Sequence, residues 1–318
     1  MFNQYKKQVN IIIYDRVIRY AVSTNSSNPK ITSFGEKIID ADIIEDGKIL
    51  KPAALQSVLT KLVREKKWKR KKLAFIVHDS SITVREQIVP KGLSKPEIKS
   101  YIMIELEDNI RLPFTNPVID FDIIIEDEEQ TKILLFAYPK DRLQPFIDSF
   151  EKVGLKPYVA DFSAISIFRV YKELQMQQDQ EHLLMVQWRI DGLVLTAFYQ
   201  DKPIFTRYIK SRLNESEWTW TAQTNTLNWT GDEEDLNQDM EEHFTAIERF
   251  LDFYRYSVRN GDEQITKILF LTDSEQLKSM DDNLNARFNI PVEMMDQLEE
   301  MKKIPAKYAD VVGLSLKK

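Results

Sequence analysis

The sequence predicts an α/β protein built from two copies of one plan, with a smaller unit inserted in the first copy. Three observations predict it. Apolar runs and alternations mark three strands, then alternating helix and strand, from Val9 to about residue 174. The same order restarts at HLLMVQWR (182–189) and runs to the end of the chain, an internal duplication. Between them, after KKLAFIVH (71–78), a strand–helix–strand–strand–helix unit interrupts the first copy.

The elements follow in order. VNIIIYDRVIRYAVS (9–23) reads as two strands joined by a very tight turn, an apolar run closing on Asp15 and then an alternation; EKIIDADII (36–44) ends the third strand. Ala54, Leu55, Val58, Leu59, Leu62 and Val63 recur at helical spacing, so a helix is expected over about 51–64. VREQIVP (84–90) is a strand, and Ser94 with Glu97 three residues on forms a capping box that opens a helix to about 110. VIDFDIII and TKILLFAY pair across an EDEEQ turn, and DRLQPFIDSFEKVG is a helix capped by Gly154. KPYVADF and SAISIFRVYKEL resume the first copy, and the polar QMQQDQE (175–181) is a hinge. GLVLTAFY and PIFTRYI complete the second set of three strands. A helix over 241–258 carries Phe244, Ile247, Leu251, Tyr254 and Val258 on one face. KILFLT, SEQLKSMDDNLNARF, PVEMM and a helix over about 305–316 close the chain. The expected division is 1–82 with 157–176, an insert at 83–156, and 177–318 with a small subdomain at about 210–240.

Composition narrows the function. A chain of 318 residues with 43% apolar and 30% charged residues can bury a full core. A net charge of -6 gives no global basic field for nucleic acid. Cysteine is absent, which removes disulfides and thiolate metal sites and suits a reducing compartment. No apolar run approaches the ~18 residues of a membrane span, and none forms a secretory leader. The eight glycines sit at 35, 47, 92, 154, 192, 231, 261 and 313, no two within ten residues of each other, so no glycine-rich phosphate cradle can form.

A duplicated three-strand plan with an insert in its first half is the architecture of actin-like (ribonuclease H-like) ATPases, here with a ferredoxin-like or SHS2-type inserted subdomain. Within it, the chain resembles the PilM family of type IV pilus assembly proteins, relatives of the cell-division protein FtsA. The likeness rests on GLSKPEIKSYIMIELEDNIRLPF, with Glu107, Pro113 and Phe114 matching, and on KILLFAYPKDRLQPFIDSFEKVGLKPYVADFSAISIFRVY. PIFTRYI, AIERFLDFY, NIPVE and VVGLSLK continue it in the same order and spacing.

The departures from that family fall where nucleotide would bind. The family's Asp-Ile-Gly-Ser-Ser-Ser type phosphate loop is replaced by Asp15 followed by Arg16 and Val17. Counting back from PIFTR without gaps puts the second loop's Asp and Gly on Gln187 and Arg189. The adenosine-side Gly-Gly after KILFLT falls on Asp273 and Ser274. Such replacements add Cβ atoms and charge where backbone amides should grip phosphate, so ATP with magnesium is not an expected cofactor and no enzyme activity is expected. Asp15 reads as a turn acceptor, and Arg16 and Arg189 as side chains filling the vacated cleft.

The resemblance implies a cytoplasmic scaffold at the inner face of the membrane. Its partner would be the N-terminal peptide of a PilN-like inner-membrane protein, lying between the first half and the insert. Ile110, Leu112 and Phe114 are the expected border of that groove, with packing beneath the insert's sheet as their other reading. A pilus assembly ATPase or self-association are further possible partners; nucleic acid is not. The alternatives are an ATPase with substituted phosphate ligands, and an FtsA-like filament former. The cytoplasmic domain of a type II secretion L-protein is a close cousin. KLVREKKWKRKK (61–72) reads as a solvated helix end and loop, with an anionic lipid surface as its other reading. Trp218 and Trp220 share a face if SEWTWT is a strand, and they either pack on the second sheet or form a contact patch. His78, His182 and His243 show no metal-ligand spacing.

Overall fold

The computed structural model describes residues 7–24, 26–126, 130–221, 226–274 and 281–317. The first half contains β1 (Lys7–Ile13), β2 (Val17–Thr24), β3 (Ile31–Ile38), the short pair β4 (Ile44–Glu45) and β5 (Lys48–Ile49), α1 (Pro52–Lys66) and β6 (Lys72–Ile76). The insert supplies β7 (Thr83–Pro90), α2 (Lys95–Asp108), β8 (Pro117–Glu126) and β9 (Gln130–Pro139). After it come α3 (Lys140–Lys152), β10 (Lys156–Asp161) and α4 (Ser163–Glu173). The second half runs β11 (His182–Arg189), β12 (Gly192–Tyr199), β13 (Lys202–Lys210), β14 (Trp218–Thr221), β15 (Thr226–Trp229), α5 (Glu233–Phe253) and β16 (Lys267–Thr272). It ends with α6 (Asp281–Phe288), β17 (Val292–Met294), α7 (Gln297–Lys302) and α8 (Ala309–Ser315).

The duplication is visible in the sheets. The first has strand order β10-β6-β1-β2-β3 and the second β17-β16-β11-β12-β13, the same connectivity twice. Each opens with an antiparallel hairpin and continues through parallel neighbours, β1 with β6 and β11 with β16. Both central hairpins are buried on each face, so their residues read as continuous apolar runs. Helices α1 and α3 cover the outer face of the first sheet, with Leu59, Leu62, Phe146 and Phe150 against Ile11 and Phe75. Helices α4 and α8 lie between the two sheets, where Ile167, Tyr171, Val311 and Leu314 meet Ile12 from one and Leu269 from the other. On the far side α5 packs Phe244, Ile247 and Phe250 onto the second sheet.

Three expectations need correction. The sequence grouped α3 with the insert, but its apolar face, Leu143, Phe146 and Phe150, joins α1 on the first-half sheet. The insert's own sheet is three-stranded, order β7-β9-β8, with α2 on one face. Helix α5 begins at Glu233, eight residues before the expected start, because the acids ahead of its apolar stripe form its first turn. Asp232 caps it by accepting from the Glu234 amide at 2.8 Å, and Glu233, Glu234 and Asp235 favour the positive helix end. Finally, the tryptophan segment splits between its two readings. Trp218 packs across its hairpin on Trp229, the rings tilted with centres 5.5 Å apart, and is buried, while Trp220 is 43% exposed.

Where α8 crosses α4, Gly313 brings the two backbones together. A Cβ there would sit 1.8 Å from the Ser166 carbonyl oxygen. The same crossing carries a 2.5 Å hydrogen bond from Ser166 Oγ to the Asp310 carbonyl. Gly313→Ala is expected to force the helices apart and cost about 1–3 kcal/mol, read as a fall in the denaturation midpoint; an unchanged midpoint would refute the close approach.

Candidate functional site

The two central hairpins turn toward each other across the cleft between the halves. In the first, Ile13 pairs Ile18 and the chain reverses through Tyr14, Asp15 and Arg16. In the second, Arg189 pairs Gly192, so the reversal is Ile190–Asp191. This corrects the gapless count. Gln187 and Arg189 lie within β11, and the second turn's Asp and Gly are Asp191 and Gly192, because strand pairing fixes the turn. Gly192 meets a packing demand, since a Cβ would sit 2.3 Å from the Ile209 carbonyl oxygen of β13. Both turns are too short to present a nest of amides to a phosphate.

The Asp15 carboxylate accepts hydrogen bonds from the Asp46 and Gly47 amides at 2.7 and 3.2 Å. Its role as a turn acceptor is therefore met by the β4–β5 turn, 31 residues away in sequence. His78, just past β6, stands between the two turn aspartates. Its Nε2 lies 3.2 Å from Asp191 and 3.7 Å from Asp15, and its Nδ1 is 2.9 Å from the Ser80 hydroxyl. All three residues are at most 3% exposed. Arg189 donates to Asp79 at 2.8 Å and to Asp191 at 3.0 Å, with its guanidinium 4.2 Å from the centre of the Tyr14 ring. Arg19 pairs with Asp273 at 2.8 Å and Glu36 at 3.2 Å, and Lys307 reaches Glu36 at 2.7 Å. Tyr14 donates to Asp310 at 2.8 Å, and Arg16 donates to the Ile39 and Glu215 carbonyls.

Half of these contacts join one half of the molecule to the other. Between them remains a cavity of about 20 Å³, bordered by Gln187, Leu271, Thr272 and Ala309. That is room for about one water. Gln187 Nε2 and Ser274 Oγ are buried without a protein partner. Of the expected positions, Asp15, Arg16, Arg189 and Asp273 thus lock the cleft, Gln187 edges its remaining space, and Ser274 is buried beside Asp273.

Charge is balanced within this buried site. Burial opposes ionisation of Asp191, yet Arg189 and His78 hold its carboxyl below the usual carboxylate range. Burial also opposes a charged His78, but Asp191 and Asp15 raise its pKa above the ordinary value. Burial pushes Asp15 up against the pull of His78. Glu215, facing Asp15 and Asp191, is pushed up to about 8 by burial and by those two carboxylates. Among the described residues, Asp15, His78 and Asp191 are the group able to hold a metal, with donor atoms within 4.8 Å of one another. Arg189 already supplies positive charge to Asp191 there.

Sequence reasoning missed His78, Asp79, Asp191, Arg19, Tyr14, Glu215 and Asp310. One signal was available: the duplication itself puts the second turn at the residues pairing like Asp15, which are Ile190–Asp191. His78 had been set aside for want of ligand spacing, but its neighbours come from distant turns.

A second, larger space lies elsewhere. Between the insert's sheet and the β10–α4 corner is a groove of about 390 Å³ lined by Val118, Phe136, Tyr138, Phe162 and Ile165. Asp120 and Asp122 of β8 border it, as do Asp161, Arg169 and Lys317. Arg169 pairs with Asp161 at 2.7 Å, while its Nη1 is buried without an acceptor. Strands β8 and β10 are both sheet edges, so their backbones are open to pairing. Ile110, Leu112 and Phe114 do not border this groove. They pack with Ile98 and Ile102 of α2 on the opposite face of the insert's sheet, because Ile119, Ile133 and Leu135 face that side.

The sequence model of the family described as type IV pilus assembly protein PilM matches residues 15–211. The chain belongs to the PilM family. A solved PilM–PilN type IV pilus biogenesis complex contains a chain with the same fold as this PilM protein. The TM-score is 0.79 at 15% identity, over 98% of this chain and 99% of that one. A Bacteroides thetaiotaomicron protein with actin-like ATPase fold and unknown function aligns over 100% of both chains at TM-score 0.52 and 11% identity. The ethanolamine utilization protein EutJ from Carboxydothermus hydrogenoformans gives 0.53 at 9% identity, over 98% of this chain and 89% of that one. The PilM fold is thus actin-like, and no helix among the described residues is long and apolar enough to cross a membrane.

Two outcomes follow for the cleft. Arg189→Met strands Asp79 and Asp191 as buried charges, so a loss of about 3–5 kcal/mol is expected in chemical denaturation; a loss under about 1 kcal/mol would refute the ion-pair lock. The pH dependence has a definite sign. His78 and Glu215 titrate above their unfolded values, so their contribution is complete below those values and is lost as pH rises through the folded ones. Asp191 is opposite, its contribution present above the usual carboxylate range and lost in acid. The melting temperature should therefore fall between about pH 6 and 9, and Glu215→Gln should flatten that fall. A wild-type profile rising over the same range would contradict it.

Proposed function

We propose that this PilM protein is a non-catalytic scaffold at the cytoplasmic face of the inner membrane. Its groove between insert and first half holds the N-terminal tail of a PilN-like membrane protein. One observation carries the reading: about 390 Å³ of aromatic-lined space opens beside two sheet edges, whereas about 20 Å³ is left at the locked cleft. An extended peptide in this groove gains main-chain hydrogen bonds from an edge strand, with alternate side chains entering the apolar floor. The unpartnered Arg169 Nη1 gives a peptide carbonyl or carboxylate a donor. The PilM–PilN complex among the solved structures supports the choice of partner. Retention of both turn aspartates fits descent from a nucleotide-binding ancestor, with Arg189 and His78 now supplying charge between them.

Calorimetry tests both halves of the reading. The cytoplasmic N-terminal peptide of the PilN-like partner should bind, and Val118→Glu, on the exposed groove edge, should weaken it at least about tenfold. Mg-ATP should give no binding heat. A silent peptide titration would sink the groove assignment, and micromolar ATP binding would sink the non-catalytic one.

A further inference from the structure

Three neighbouring strands of the first sheet begin with lysine at one edge of the molecule: Lys7 of β1, Lys72 of β6 and Lys156 of β10. Strand pairing aligns Lys156 with Lys72, and Lys72 with Gln8, so the three form a row. Helices α1 and α3 end at the same face, closing on Lys66 and Lys152. The loop between α1 and β6 adds Lys67, Lys69, Arg70 and Lys71. None of these four makes an ion pair among the described residues, and only Glu65 and Glu151 lie interspersed as acids. The negative ends of the two helices offset about one unit of this charge. A strong positive surplus remains on a chain whose net charge is -6.

The loop is built to present that charge. Trp68 is buried, edge-on to Tyr20 at 4.9 Å, and the Arg70 amide donates to the Gly154 carbonyl at 2.6 Å. These anchors draw the loop onto the sheet and leave its cations outward. Lys67 and Arg70 take left-handed backbone conformations, φ 57° and 66°, where glycine is the usual residue. Positive side chains are kept at a conformational cost of about 1 kcal/mol each.

We infer that this face docks on an anionic lipid bilayer. The inference rests on the groove reading above. Strand β10 starts in the lysine row and ends at Asp161 in the groove, about 17 Å away at 3.3 Å per residue. An extended peptide along the β10 edge therefore runs toward the basic face, placing it against the membrane from which the tail emerges. Tyr158, 49% exposed on β10 with Lys72 5.0 Å from its ring centre, adds an aromatic ring suited to a headgroup layer. The acidic balance of the whole chain weighs against a long polyanion wrapping it, and so favours a flat lipid surface over nucleic acid.

Vesicle co-sedimentation of the full chain tests this. Vesicles of phosphatidylglycerol with phosphatidylethanolamine should bind at least about tenfold better than phosphatidylcholine vesicles, and raising salt to about 0.5 M should abolish the difference. Lys66→Glu, Lys69→Glu and Lys152→Glu combined, all exposed positions off the β10 edge and outside the left-handed conformation, should remove anionic binding while leaving peptide affinity unchanged. A single Lys152→Glu variant, on a helix surface, should weaken it partially and serves if the triple variant fails to fold. Equal binding to neutral vesicles, no effect of either variant, or tighter binding to duplex DNA than to vesicles at the same salt would each overturn the inference. Anionic binding that persists where the peptide does not bind would remove the groove reading alone.

Discussion

Two buried guanidiniums, Arg189 and Arg19, bear on every other feature of the cleft. Each projects from a central hairpin strand, from the second half and the first respectively, and reaches a carboxylate on the opposite half. A buried ion pair adds little net stability, but either partner left alone is costly. The two halves are therefore held at one separation, since parting them would leave Asp79, Asp191 or Asp273 unpaired or open to water. Tyr14 reinforces that separation, lying beneath Arg189 while its hydroxyl reaches Asp310 near the α4–α8 crossing.

With the cleft filled, the larger open space lies at the insert. In a hinged two-half fold, the space between halves opens and closes around a ligand. Here that space is occupied by the protein's own side chains, and the insert's sheet, standing off the β10–α4 corner, encloses the larger groove. The insert is held firmly enough to shape that groove. Leu134 on the sheet face away from α2 is fully buried in the core between the halves, and Lys202 of the second half reaches Asp122 of β8 at 3.4 Å. Residues of both halves thus flank the insert's sheet.

Much of the site was legible, though not its geometry. Asp15, Arg16, Arg189 and Asp273 were identified from their place beside the expected phosphate loops, and all four do occupy the cleft. Their partners were not legible. Arg189 and Asp79 are 110 positions apart, and Arg19 and Asp273 are 254 apart. Ile110, Leu112 and Phe114 follow the second of their two readings, packing on the α2 side of the insert's sheet. Which face of the insert's sheet they cover depends on strand register, and a one-residue shift in register exchanges the faces.

The sequence by itself determined the duplicated plan, the strand order's repeating unit, the insert, and the scarcity of glycine at the turns. Hydrophobic periodicity and turn chemistry are local, so each is readable within a dozen residues. The tertiary structure alone decided which carboxylate each arginine neutralises, that His78 stands between Asp15 and Asp191, and that lysines opening three separate strands form one row. Those outcomes depend on distances between segments far apart in the chain, and electrostatic free energy depends on distance and burial, which no local pattern encodes.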